Sequence, residues 1–223
     1  MAKECKRKIN APLVRRELVP IVFIIIIFSI AVYLYPALPD KIPVHWNIRG
    51  EVDQLGSRFI GLFLIPFITL GVYLLISFIP KLAVYKKNIK MFNKNLYGMK
   101  IALILFLSAI YIITLLPTFG YQINVAYFML PLIAALFFYI GYIIKFVRRN
   151  FFIGIRTPWT LSSKKVWDKT HKIGSITFRI NALVFLLAVF LPEYAFWIIL
   201  VPLIANVLFL VGYSYWLYQK IKR

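Results

Sequence analysis

"LVPIVFIIIIFSIAVYLY", residues 18–35, runs for eighteen positions without a charged side chain. A helix on the surface of a water-soluble domain carries polar residues along its outer face, and this one would have none. Its length is close to the roughly 20 residues needed to cross the hydrocarbon of a bilayer. A basic tail precedes it, as in a signal peptide. The apolar run is too long for that role, however, no small-residue cleavage site follows, and more apolar blocks come after it. It reads as a retained transmembrane helix.

Working outward, the same pattern recurs. Of 223 residues, 62% are hydrophobic and only 15% charged, and the mean hydropathy is +0.83. A soluble domain carries charge on about a quarter of its residues. Six blocks are expected to cross: Leu18–Tyr35, Phe59–Ile79, Ile101–Leu116, Val125–Phe146, Ile176–Leu191 and Tyr194–Leu217. The third and fifth are short and borrow from their flanks. The expected fold is an all-α integral membrane bundle of about six helices.

The net charge of +20 suggests nucleic acid only until the cations are placed. Twenty-four of the 27 Lys and Arg fall in the tail 1–17, in 81–100, in 145–175, at Arg179 and at the C-terminus, and three fall in the alternate connections. By the positive-inside rule both termini are cytoplasmic, and the basic excess faces the anionic inner leaflet. No nucleic-acid partner is expected. The single cysteine, Cys5, sits in the basic tail and has no partner for an intrachain disulfide.

The layout is then a basic tail (1–17), a two-span unit (18–80) with an outer loop (36–58), a cytoplasmic segment (81–100), and a four-span unit (101–223) with a cytoplasmic segment (151–175). In 81–100, Tyr85, Ile89, Phe92, Leu96 and Met99 keep helical spacing with lysines elsewhere on the wheel, an amphipathic helix that lies on the leaflet or extends its neighbours. From Ser163, Val166, Trp167, Thr170, Ile173 and Gly174 gather opposite Lys164, Lys165, Asp168, Lys169 and Lys172, with His171 at the border. The plain reading of 151–175 is a headgroup-anchored helix with Trp159 and Trp167 at the interface. Prolines close the odd spans outside (Pro36, Pro117, Pro192) and recur early in the spans that follow (Pro66, Pro131, Pro202). Kinks at similar depth would open an outer vestibule.

No Asp or Glu falls at mid-membrane in the six blocks, which weighs against an ion-coupled transporter. Arg179 reaches headgroups from near the cytoplasmic end of its span, and Asn181 and Asn206 fit interhelical hydrogen bonds. His45, Glu51 and Asp53 lack the spacing and the further ligands of a zinc site, so no metal and no cofactor are expected. The outer loop reads as a structured cap: Pro39 and Pro43 stiffen its entry, Ile42, Val44 and Trp46 alternate as in a strand, and Asn47–Ile48–Arg49–Gly50 forms a turn. Its carboxylates can pair with Arg49 and Arg58.

Two stretches resemble a known family. "LPDKIPVHWNIRGEVDQLGSR" (38–58) is similar to the LP..IP.HWN..G..D...S-basic signature of a membrane domain found at the N-terminus of SdpI-type proteins. "IGIRTPWTLSSKKVWDKTHKIGS" (153–175) resembles the signature of the SdpI-like immunity family itself. The resemblance implies six spans and protection of a Gram-positive producer against its own secreted killing peptide. It also implies capture of a cytoplasmic repressor at the membrane once that toxin is present. On this sequence it singles out Pro39, Pro43, His45, Trp46, Asn47, Gly50, Glu51, Asp53, Ser57 and Arg58 outside. Inside, it singles out Gly154, Arg156, Thr157, Pro158, Trp159, Trp167, Asp168, Thr170 and His171. Binding and signalling lead over a small-molecule or lipid transporter, and an enzyme using His45 and Asp53 comes last because no third group orients them.

Overall fold

The computed structural model describes residues 11–47 and 49–222. Most of the expected basic tail, with Cys5, lies outside the described residues. Eight helices and one hairpin are the main elements among them: α1 (Ala11–Leu34), β1 (Lys41–Trp46), β2 (Val52–Ser57), α2 (Arg58–Leu82), α3 (Lys86–Met91), α4 (Asn93–Leu115), α5 (Val125–Ile144), α6 (Pro158–Ser162), α7 (Lys164–Leu187) and α8 (Ala195–Lys222). Single 3₁₀ turns, Leu116–Phe119 and Pro192–Tyr194, follow α4 and precede α8.

Among the described residues, five helical stretches are long and apolar enough to cross a membrane: Glu17–Leu34, Arg58–Leu82, Asn93–Phe119, Val125–Ile144 and Pro192–Lys222. They coincide with five of the six expected spans. Large apolar side chains such as Ile25, Leu75, Leu208 and Trp216 point outward from them. Exposed apolar surface on that scale is compatible with lipid as solvent and not with water.

The remaining expected span, Ile176–Leu191, falls largely in α7 and is not a separate element. It continues without a break from the basic amphipathic helix that starts after Ser163, giving one helix of 24 residues. Lys172, Arg179 and Asn181 interrupt its apolar character. Yet α7 runs antiparallel to α5 and α8 along most of their length. Leu130, Ala188 and Ala195 cluster at one end, Phe137 stacks on Phe178 midway, and Thr157 just before α6 meets Ser214 at the other. A Cβ on Gly141 of α5 would lie 2.8 Å from the Arg179 stem and 3.0 Å from its backbone nitrogen, so this helix pair closes to a distance only a small residue permits.

The segment 81–100 keeps its expected helical face but turns it inward. Ile89, Phe92 and Leu96 are buried with Ile76, Ile79, Val147 and Trp167 in one cluster at the basic end. The helix breaks at Phe92, and the rest of the segment becomes the first turns of α4. At the opposite end Ile27, Ala31, Ile42, Leu62, Tyr111 and Leu115 form a second cluster, which seats the hairpin on α1, α2 and α4.

Candidate functional site

The loop expected outside folds as an antiparallel hairpin whose turn is chemically specified. Asn47 Oδ1 accepts from the backbone nitrogens of Arg49 (2.8 Å) and Glu51 (3.2 Å), and its Nδ2 donates to Glu51 Oε2 at 3.0 Å. Gly50 takes φ +78°, where an L side chain is strained. The register pairs Pro43 with Leu55, His45 with Gln54 and Trp46 with Val52. Val44 and Asp53 are thus each an extra residue in their strand, and such bulges re-aim side chains. Asp53 reaches His45, Oδ1 to Nδ1 at 2.6 Å, with both side chains exposed.

The turn is also tied to the second half of the chain. Asn124 caps α5 by accepting from Ala126 N at 3.0 Å, while its Nδ2 donates to the Arg49 carbonyl at 2.7 Å. The Val125 N–H donates to the Gly50 carbonyl at 3.2 Å. A Cβ on Gly50 would run into the Asn124 side chain and Ala126.

Beneath the hairpin lies a cavity of about 360 Å³. Val44, His45, Trp46, Asn47 and Gly50 roof it; Val125, Ala126, Met129 and Leu130 of α5, Thr114 of α4, and Ala195, Phe196 and Ile199 of α8 form its walls. The walls are almost wholly apolar and the rim is polar. Beside it Arg49, Glu51, Asn124, Pro192 and Glu193 enclose a polar cleft.

Not every expected outer residue joins this arrangement. Ser57 is the N-cap of α2 and accepts from Ile60 N. Arg58 donates to the Leu38 carbonyl at 2.9 Å and the Tyr35 carbonyl at 3.3 Å, lies over the Tyr35 ring and pairs with Asp40 at 3.3 Å, which clamps the end of α1 to the start of α2. The expected pairing of the loop carboxylates with arginines holds for Asp40 and Arg58, whereas Glu51 meets Asn47 and Asp53 meets His45, the bulge turning Asp53 towards the facing strand. Pro43 is half-buried in β1, while Pro39 is exposed before it.

The motif expected inside has the opposite character. Asn150 uses its whole amide, Nδ2 to the carbonyls of Arg148 and Ile153 and Oδ1 from the nitrogens of Phe152 and Ile153. This knot leads to Gly154 at φ +118°, where a Cβ would strike His171 Nε2 and the Trp167 ring. His171 is fully buried and stacked on Trp167 at 4.0 Å. Its Nδ1–H donates to the Trp167 carbonyl at 2.8 Å, and its Nε2 accepts from Ile155 N–H at 3.0 Å. That pattern requires neutral imidazole, and burial pushes its pKa down to about 4 against the weaker opposing pull of the Trp167 carbonyl.

Trp167 is not at the membrane interface as the plain reading expected. It is fully buried, and its Nε1–H donates to the Val147 carbonyl at 2.8 Å. Thr157 and Thr160 form a capping box in which Pro158 takes the first helical position, and Thr160 Oγ1 also reaches the Ile155 carbonyl at 2.8 Å. Arg156 donates to the Phe151 carbonyl, Trp159 lies against Tyr215 at 5.0 Å, and Thr170 is buried. Arg156, Pro158 and Asp168 are the exposed members of this group, Asp168 among the lysines of α7.

A third polar group was not anticipated. Lys100 of α4, buried, donates to both Glu17 oxygens (2.8 and 2.7 Å) and to Ser77 Oγ at 3.2 Å, and Tyr73 O–H donates to Glu17 at 3.1 Å. It fastens α1, α2 and α4 near the basic end. Its signal in the sequence is Glu17, a carboxylate directly after two arginines at the mouth of a span.

Two family profiles match the chain. The Domain of unknown function DUF1648 covers residues 22–70, which include the hairpin, and the SdpI/YfhL protein family covers residues 147–215, which include the buried motif and α7. Among curated proteins, the "Immunity protein SdpI" of Bacillus subtilis (strain 168) is 27% identical over 212 residues, 93% of this chain and 98% of that protein. These matches support the resemblance to the SdpI-like family. Both expected motifs lie inside matched segments, in the same order as they were read. No solved structure gives a significant match.

Proposed function

We propose that this SdpI-like protein is a membrane immunity protein, a binding rather than a catalytic molecule, that meets a secreted membrane-active peptide at the cavity under its hairpin. The observation that carries the reading is the shape and chemistry of that cavity: apolar walls from α4, α5 and α8 beneath a hairpin roof in which the hydrogen-bonded His45 and Asn47 stand beside Val44 and Trp46. An amphipathic peptide arriving at the membrane surface can bury an apolar side chain between the helices while its backbone stays at the rim. The immunity name of the Bacillus subtilis relative supports the same role.

In this reading the cationic ends of the bundle, both termini among them, face the cytoplasm, and the hairpin faces outward. The antiparallel run of α7 beside α5 and α8 supports its being the sixth crossing. Signalling to a cytoplasmic repressor would pass from the hairpin turn through the Asn124 cap to α5, and from α5 to α7, which bears His171 and Trp167. Such coupling requires a bundle with two arrangements that the peptide binds unequally.

The test is survival. Expression in a bacterium sensitive to secreted membrane-active peptides is expected to raise survival under peptide challenge. Met129→Trp, which fills the cavity from its α5 wall, is expected to abolish that gain with the protein still in the membrane at normal level. Full protection by Met129→Trp would remove the cavity from the mechanism, and no protection by the unaltered protein across a peptide panel would remove the immunity reading.

A further inference from the structure

At the basic end of the bundle, away from the hairpin, α4 and α5 diverge around a cleft of about 450 Å³. Tyr97, Tyr139, Tyr142 and Phe146 supply its walls and Lys94 stands at its edge. Gly98 provides the width: a Cβ there would collide with the Tyr139 hydroxyl. A second cation, Lys145, lies against two of the wall rings. Lys145 Nζ lies 5.4 Å from the Tyr142 ring centre and 5.0 Å from that of Phe146. Among the described residues no carboxylate lines the cleft.

Two lysines with tyrosine hydroxyls, at the ends of two membrane-crossing helices, match one kind of partner. The cleft sits where a crossing helix leaves hydrocarbon for headgroups, so an anion held there belongs to a molecule whose remainder lies in the bilayer. The faces leading inward suit acyl chains. Leu105 is seven residues beyond Gly98 on α4, and Phe138 is four before Tyr142 on α5; both share the face of the cleft and point outward.

The geometry points to a bound anionic glycerophospholipid, its phosphate between Lys94 and Lys145 and its acyl chains along the Leu105 and Phe138 faces. This is a discrete site, distinct from the general attraction of a basic surface to anionic lipid, and it does not depend on the immunity reading. Lysine contributes to it as a compact point charge, which suits a phosphate that needs neutralising more than bidentate gripping.

Native mass spectrometry of the full-length protein in detergent, titrated with phosphatidylglycerol, tests it. Phosphatidylglycerol is expected to stay bound under conditions that strip phosphatidylcholine. The pair Lys94→Gln with Lys145→Gln is expected to weaken phosphatidylglycerol about tenfold. The pair Lys220→Gln with Lys222→Gln, which removes the same charge from the end of α8, is expected to leave it unchanged. Equal losses in the two pairs, or equal binding of phosphatidylcholine, would overturn the site in favour of diffuse attraction. Displacement of the lipid by millimolar inorganic phosphate would overturn the lipid assignment in favour of a free anion. If the first pair does not fold, Gly98→Leu carries the test by filling the cleft at constant charge; lost binding supports the site and unaltered binding overturns it.

Discussion

The hairpin and the buried motif carry similar residue types: a histidine, tryptophan, glycine and proline in each, with hydroxyl or amide side chains around them. In the hairpin His45 is exposed and pairs with an exposed carboxylate, and Trp46 helps to roof a cavity. In the inner motif His171 and Trp167 are stacked, sealed from solvent and bonded to backbone groups. An exposed pair in water adds little to stability, whereas a buried polar group that loses its partner costs the whole of its desolvation. In the proposed reading the same residue types serve contact in one place and construction in the other.

That contrast breaks most visibly at Gly154. An alanine there meets both an unfavourable φ and the His171–Trp167 stack, and the expected cost is about 3 kcal/mol or more. Melting and monodispersity of the detergent-solubilised protein would read it; normal melting would mean that the stack does not close over Gly154.

The next largest effect is acid sensitivity. Because the folded pKa of His171 is lowered to about 4 from its ordinary 6.5, its contribution is fully present above pH 6.5 and is lost as pH falls through 4. The loss is on the order of 3 kcal/mol. His171→Gln is expected to melt lower at pH 7 and to show a shallower fall between pH 6.5 and 4. Parallel curves for the two proteins would argue against a neutral buried imidazole.

Trp167→Phe keeps the stack and removes the bond to the Val147 carbonyl, an expected loss of about 1–2 kcal/mol in the same assay. The smallest expected change in stability is at the hairpin. Asp53→Asn or His45→Ala should shift melting by less than about 1 kcal/mol and still reduce survival under peptide challenge. Survival that follows melting in both regions alike would erase the distinction between contact and construction.

Five of the six expected spans were legible because lipid imposes a length and an apolar composition that no neighbour alters. The hairpin turn was legible too, since an asparagine three residues before a glycine states its own geometry. The partner of Asp53 was not. A bulge depends on how two strands settle against each other, and no local pattern near residue 53 announces it. Trp167 was expected at an interface because tryptophans beside lysines commonly lie there; what buries it is a carbonyl twenty positions earlier and a loop closed by Asn150 and Gly154. Lys100 and Glu17 escaped notice because each sits at the mouth of a span, where a lone charge looks solvated, and only the packing of α1 against α4 brings them together.

The two hydrogen bonds of the Asn124 side chain, one within its own helix and one to the Arg49 carbonyl, have a consequence for inheritance. The segment matched as DUF1648 ends at residue 70, yet the tip of its hairpin is finished by atoms from residues 124 and 125. A chimera that moves residues 22–70 onto an unrelated bundle would carry the strands and leave Gly50 uncovered. In this protein the hairpin loop has become a joint product of the two halves, and recombination between relatives would have to exchange both sides of that seam together.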